Sequence, residues 1–350
     1  MLETLRNAWK LPDLRRKITF TLLMFLVFRL GAHIPVPGID KQALAKLIAS
    51  GSFFGFFDFI SGGAFANFTV FAMGIMPYIN ASIIMQLLTV VVPALERLAK
   101  EGEEGRKKIA QYTRYGTVVI GFVQAIGMTT LFRSQGILVE QGVISYLIIA
   151  VTLTAGTAFL MWLGELITEH GIGNGISLII FAGIISRFPS MIYSAFELVR
   201  TGESSIFGVI FFALIALVVI AGIVAMHEGQ RRIPVQYSKR VVGRRVYGGQ
   251  STHVPIKVNQ AGVIPIIFAM SILLFPPTLA SWFPTNSFAQ WVQNFFSPES
   301  ASYMIIYGLL IIFFTYFYTA VTFNPQDVAE NMKKYGGFIP GRRPGKPTAD

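Results

Sequence analysis

Eight stretches of this chain run for sixteen to twenty-five residues almost without charge, and no other feature restricts the fold as strongly. They occupy residues 18–33, 68–92, 115–132, 143–167, 172–188, 206–226, 261–282 and 303–323. A hydrocarbon layer ~30 Å thick takes about 20 predominantly apolar residues wound as a helix. Inside it, every peptide group has to be hydrogen-bonded within the protein. The reading is an all-α, polytopic helical membrane protein. Composition agrees, with 53% hydrophobic and 13% charged residues, where soluble domains carry about 25% charged. The first and fifth runs are short, and the fifth follows Gly171, Gly173 and Gly175, so both need protein neighbours to shield their ends. The first run ends at His33-Ile34-Pro35 without a small-residue cleavage site, so it is expected to persist as a span.

Of the 29 Lys and Arg residues, 23 fall in segments 1–17, 93–114, 168–171, 227–260 and 324–350. The remaining six are Arg29, Lys41, Lys46, Arg133, Arg187 and Arg200. The positive-inside rule then puts the N-terminus and these five segments in the cytoplasm. The net charge of +11 is mostly topology.

Catalytic patterns are missing. The chain has no cysteine, which removes disulfides, thiolate metal sites and cysteine nucleophiles. It holds no G-x-S-x-G and no H-E-x-x-H. His33, His170, His227 and His253 lie at span ends or in loops. The basic turn GRRPGKPT at 341–348 lacks phosphate-loop spacing, and GIGNG at 171–175 reads as a break that starts a helix. Ionisable groups within the spans are sparse, with Arg29 near the outer end of the first and Glu165 at the inner end of the fourth. Pumps keep such groups in mid-membrane. The neutral Asn80, Ser82, Gln86, Gln124, Thr152 and Thr154 read as helix–helix hydrogen-bonding groups. No enzyme activity and no cofactor are expected, and any energy for transport must come from a partner or a gradient.

Three features remain. Residues 51–65, GSFFGFFDFISGGAF, are too short to span; they form either an interfacial helix or a re-entrant element buried in protein. The loop at 228–260 mixes β-branched residues with paired arginines and reads as a hairpin with Arg244 and Arg245 near its tip. Together with 324–350 it makes a basic surface, suited to anionic lipid or to docking an acidic partner or ribosomal RNA. Isoleucines recur at helical spacing: Ile75 with Ile79 beside Pro77, Ile176 with Ile180, and Ile264 with Ile267 around Pro265. Residues three or four apart share a helix face. Packing or lipid contact is the plain reading of these pairs, and a pore constriction is the sharper one.

Six ordered stretches resemble one family: HIPVPGID (33–40), GIMPYINASIIMQ (74–86), EGEEGRKKIAQYTRY (101–115), MWLGELITEHGIGNGIS (161–177), residues 229–255 and residues 340–345. It is the SecY/Sec61α family of protein-conducting channels. The resemblance implies ten spans in two inverted five-helix halves. Residues 1–188 would be the first half, with a plug at about 55–65. Residues 206–350 would be an incomplete second half, ending in the loop before the ninth span. The family's pore ring falls on Ile75, Ile79, Ile176, Ile180 and Ile267, and its plug on Gly55, Phe56, Phe57, Asp58, Phe59 and Ile60. Gln86, Gln124 and Asn259 become candidates for polar contacts across the lateral gate. Arg244, Arg245, Arg342, Arg343 and Lys346 become candidates for docking the SecA ATPase and the ribosome. SecE and SecG subunits, precursor proteins with signal sequences and the lipid bilayer complete the implied partners, and the implied location is the bacterial plasma membrane. The competing readings are a secondary transporter of a small solute, to which the glycine-broken fifth helix points, and a membrane scaffold.

Overall fold

The computed structural model describes residues 9–40, 43–44, 58, 61–134, 136–139, 142–202, 204–237, 240–242, 245–247, 251–280, 283, 286–297 and 300–350. The apolar runs wind into helices α1 (Pro12–Gly31), α2 (Met76–Val91), α3 (Pro93–Lys100), α4 (Glu103–Ser134), α5 (Val143–His170), α6 (Gly175–Arg200) and α7 (Ile206–Glu228). Strands β1 (Gln230–Tyr237), β2 (Arg240–Val242), β3 (Arg245–Tyr247) and β4 (Ser251–Lys257) follow. The chain continues through α8 (Ile264–Ala280), α9 (Ser287–Phe295), α10 (Ala301–Thr322), α11 (Pro325–Lys334), β5 (Gly337–Phe338) and α12 (Lys346–Ala349). Among the described residues, four helices are long and apolar enough to cross a membrane, or five if the bent pair α2–α3 counts as one span. The clearest is α7, which buries none of its residues within the chain. A helix apolar all round belongs in hydrocarbon.

Local sequence explains the breaks. Pro93 forces Val92 into an extended conformation at φ −97° and ψ 111°, as a residue before proline prefers, and α3 leaves α2 at 99°. At about 1.5 Å per residue, the 32 residues of α4 outrun the bilayer, and its first turns carry Arg106, Lys107 and Lys108 outside it. Asn174 caps α6 by accepting the Ser177 N–H at 3.0 Å, and the Gly175 N–H is taken by Thr168 Oγ1 at 2.8 Å. The glycine break therefore starts a helix, as expected.

The structure departs from the expected spans in two places. Residues 68–75 are turn rather than helix, because Gly74 sits at φ 57° and α2 begins only with Pro77 in its first turn, where proline is pre-organised. The fifth helix does not stop at Phe188 but runs through Pro189 to Arg200. A proline within a transmembrane helix is tolerated because neighbouring groups take up the freed backbone carbonyl.

The chain divides into two units by contact, residues 1–196 with 270–306 and residues 197–269 with 307–350. The first has two apolar cores. One gathers Val36, Leu44, Phe65, Phe68, Phe132, Ile149 and Leu153, with Phe68 edge-on to Phe132 at 4.9 Å. The loop after α1 seals it, as the Val36 N–H bonds the Phe68 carbonyl at 2.9 Å and the Val70 N–H bonds the Ile34 carbonyl at 3.0 Å. The other core joins α1, α2, α5 and α6. In the second unit, β1 pairs antiparallel with β4 from Gln230↔Lys257 to Gln236↔Ser251, and β2 pairs with β3. This is the expected hairpin, with alternate residues Arg232, Pro234 and Gln236 exposed and Val235 buried. Strand β5 adds to the other edge of β1.

Close backbone approach is the weak point of the first unit. A β-carbon on Gly156 of α5 would strike the Val70 carbonyl. Gly156→Ala should destabilise the protein by about 1–3 kcal/mol, the usual cost of overpacking. Gly208→Ala on α7, where a methyl meets nothing within 4 Å, should be neutral or stabilising by roughly 0.5–1 kcal/mol. Thermal unfolding in detergent compares the two.

Candidate functional site

The site is built where irregular backbone enters the first unit. Residues 61–75 run as successive turns, with Gly62 at φ 67° and Gly63 at φ 88° reversing the chain. Their polar groups are satisfied locally. Ser61 Oγ donates to the Asp58 carbonyl at 3.2 Å and accepts the Phe65 N–H at 3.0 Å. Thr69 Oγ1 donates to the Ala64 carbonyl at 3.2 Å. Asp58 Oδ1 accepts the Ala66 N–H at 2.7 Å. Asp58 itself is 2% exposed, and its other oxygen is ion-paired with Arg187 of α6. Arg29 of α1 donates to the Gly62 carbonyl at 3.1 Å and to Ser186 Oγ at 3.3 Å. A segment held this way between α1 and α6 lies inside protein, the only setting in which non-helical backbone is tolerated at membrane depth. Of the implied plug residues, Asp58 is described; Gly55, Phe56, Phe57, Phe59 and Ile60 lie outside the described residues.

In the core that the segment shares with α1, α2, α5 and α6, the structure collects isoleucines. Ile75 ends the turn segment and is 3% exposed, in a core with Phe28, Phe71, Leu160, Leu163, Ile167 and Ile179. Ile79, Ile176 and Ile180 are half-buried against the same core. Four of the five implied ring residues, from α2 and α6 and far apart in sequence, thus form one apolar patch. The fifth, Ile267, is half-buried on α8 in the second unit. Such a patch offers no hydrogen bond and no charge to anything that passes it. What it can do is exclude water when empty.

The polar candidates sit differently. Gln86 is exposed on α2, its amide directed at Ser82 Oγ at 3.5 Å. Gln124 is half-buried on α4. Asn259 folds its side chain onto the loop before α8, accepting the Gly262 N–H at 2.9 Å and donating to the Gly262 carbonyl at 3.3 Å. Arg342, Arg343 and Lys346 are all exposed; Arg342 Nη1 reaches the Pro347 carbonyl at 3.5 Å. Arg245 lies on β3 opposite Val242, and Arg244 lies outside the described residues. Arg114 Nε meets Glu165 Oε1 at 2.7 Å between α4 and α5. Both side chains are partly exposed, so the pair adds under about 1 kcal/mol. Among the described residues no cluster of His, Cys, Asp or Glu suited to a metal occurs.

Sequence reading missed the Asp58–Arg187 pair. A signal was present: a lone carboxylate in a phenylalanine-rich segment and an arginine near the end of an apolar run both need counter-charge at membrane depth.

These features define a class, a polytopic α-helical membrane protein whose helices enclose a buried re-entrant segment and an apolar patch. The sequence model of the family SecY matches residues 69–350. The protein translocase subunit SecY of Halalkalibacterium halodurans is 52% identical over 99% of this chain and 83% of its own length. The chain belongs to the SecY family. Among solved structures, one described as a protein conducting channel superposes with TM-score 0.66 at 18% identity, covering 96% of this chain and 79% of that one. Another, described as showing that the plug domain of the SecY protein stabilises the closed state of the translocation channel and maintains a membrane seal, superposes with TM-score 0.58 at 17% identity over 94% of this chain and 78% of that one.

Burial separates the isoleucines energetically. Ile75→Ala removes a fully buried side chain and should cost about 2–5 kcal/mol. Ile180→Ala, at a half-buried position, should cost under half as much. Thermal unfolding of the two variants side by side measures the ratio.

Proposed function

We propose that this chain is the pore-forming subunit of a Sec translocase, a protein-conducting channel that passes unfolded secretory chains outward and releases apolar segments sideways into lipid. The observation that carries the reading is the apolar patch of Ile75, Ile79, Ile176 and Ile180 packed in one core with a buried, charge-anchored re-entrant segment. Branched apolar side chains fit loosely around any extended polypeptide, because they ask for no specific partner. When empty, the same surface resists water and ions by dewetting. The family resemblance adds Ile267 to this constriction and makes the segment around Asp58 the plug that closes the channel from outside.

The remaining roles follow the same resemblance. Gln86, Gln124 and Asn259 serve a lateral gate, where weak neutral hydrogen bonds, about 0.6 kcal/mol each in one membrane protein, open more readily than buried ion pairs. Arg244, Arg245, Arg342, Arg343 and Lys346 on the basic loops dock the ATPase SecA or the ribosome, which supply the energy this chain does not generate. SecE and SecG assemble with it. The location is the bacterial plasma membrane with the N-terminus in the cytoplasm. The orientation is supported by the 23 of 29 basic residues in one set of segments, and the bacterial membrane by bacterial relatives over nearly the whole chain. A secondary transporter draws no support from a family whose members are named translocase subunits.

Ion conductance tests the constriction. In the resting complex, assembled with its small subunits, Ile79→Asn and Ile267→Asn should each admit water and raise conductance above wild type in planar bilayers. Unchanged conductance in both variants would return the isoleucines to ordinary packing and leave the channel reading without its main support.

A further inference from the structure

Two arginines hold the re-entrant segment, one through its carboxylate and one through its backbone. Asp58, buried to 2% exposure, is ion-paired with Arg187 of α6. Arg29 of α1 holds the next turn through the Gly62 carbonyl at 3.1 Å and shares Ser186 Oγ with α6 at 3.3 Å. Ser186 in turn donates to the Gly183 carbonyl at 2.7 Å. The backbone is seated as closely as it can be, since a β-carbon on Gly62 would lie 2.9 Å from the Gly183 Cα. The apolar contacts of Ala64 and Phe65 would by themselves anchor such a segment. A buried ion pair adds little net stability, because desolvation offsets its attraction. What it does add is a definite position, since each charge strongly resists being left alone.

We propose that Asp58 and Arg187 form a latch that fixes the re-entrant segment in its seated position, with Arg29 as the second cation of the seat. The proposal rests on the reading of this segment as the plug. Arg187 alone pairs with the carboxylate, and Arg29 binds Ser186 beside it, so unseating Asp58 leaves Arg187 without its counter-charge and repelled by the neighbouring Arg29. Return of the carboxylate relieves that repulsion. The latch is therefore self-resetting: it releases when the segment is displaced and recaptures it afterwards, without a covalent step or a ligand.

The test uses the complete complex in lipid and a chain naturally free of cysteine. A spin label is placed at Asn67→Cys, an exposed position one residue beyond the Asp58 contact to Ala66. Label mobility reports seating, and ion conductance reports sealing. Asp58→Asn keeps an oxygen for the Ala66 N–H and removes only the charge. It and Arg187→Gln should each raise the mobile fraction and the conductance about tenfold, within the coupling expected of contacting residues. The double variant Asp58→Asn/Arg187→Gln should do no more than the larger single, because both remove the same interaction. It leaves neither member of the pair as an uncompensated charge, so it remains readable if a single variant fails to assemble. Wild-type mobility in the double variant, or single effects that multiply, would overturn the latch and leave the plug reading standing. Raised mobility with unchanged conductance would uphold the latch and refute the plug reading.

Discussion

A peptide group in hydrocarbon has no water to bond, and the fold of this chain follows from that requirement. Where the sequence allows an uninterrupted helix the requirement is met internally, and α7 can then stand with no buried residue. Where Gly62, Gly63, Gly74 and Pro77 prevent a helix, the backbone has to be carried inside the protein and satisfied group by group. Side chains of Asp58, Ser61 and Thr69 take part of that load, and the strand-like pairing of residues 34–36 with 68–70 takes more. The re-entrant segment is thus buried by necessity, and the helices that enclose it, α1, α2, α5 and α6, are the ones that also bring the isoleucines together.

Charge is distributed by the same logic. Most cations lie between the apolar stretches of the sequence, where they need no counter-charge within the membrane. The exceptions are informative. Arg187 and Arg29 are received by the segment between the first two helices, which supplies a carboxylate to one and a carbonyl to the other. A polar anchor beside an apolar patch suits a passage that must be sealed at rest and indifferent to the sequence of what goes through it.

Much of this was legible in the residues. Apolar runs of about 20 located the helices, GIGNG marked the start of α6, and paired arginines among β-branched residues marked the hairpin of β1 and β4. Two errors have physical causes. Hydropathy does not distinguish a buried turn from a helix, so residues 68–75 read as part of a span. Proline signals a stop in water, yet α6 continues through Pro189 because a membrane helix has neighbours and no competing solvent. The site was harder to read. Ile75 and Ile79 share a helix face by spacing alone, but nothing in spacing says that α6 brings Ile176 and Ile180 to the same core. That needs tertiary structure, or the family resemblance that supplied it. The partnership of Asp58 with Arg187 was hidden for the same reason.

The central claim is that the isoleucine patch is the path of a moving polypeptide, and site-specific photocrosslinking at Ile79 and Ile267 tests it most directly. With the rest of the channel, its small subunits and the motor restored, a secretory precursor is arrested midway and irradiated. Crosslinks from both positions to the precursor, dependent on the motor and ATP, are the predicted result. An engaged precursor that crosslinks to neither would contradict the account.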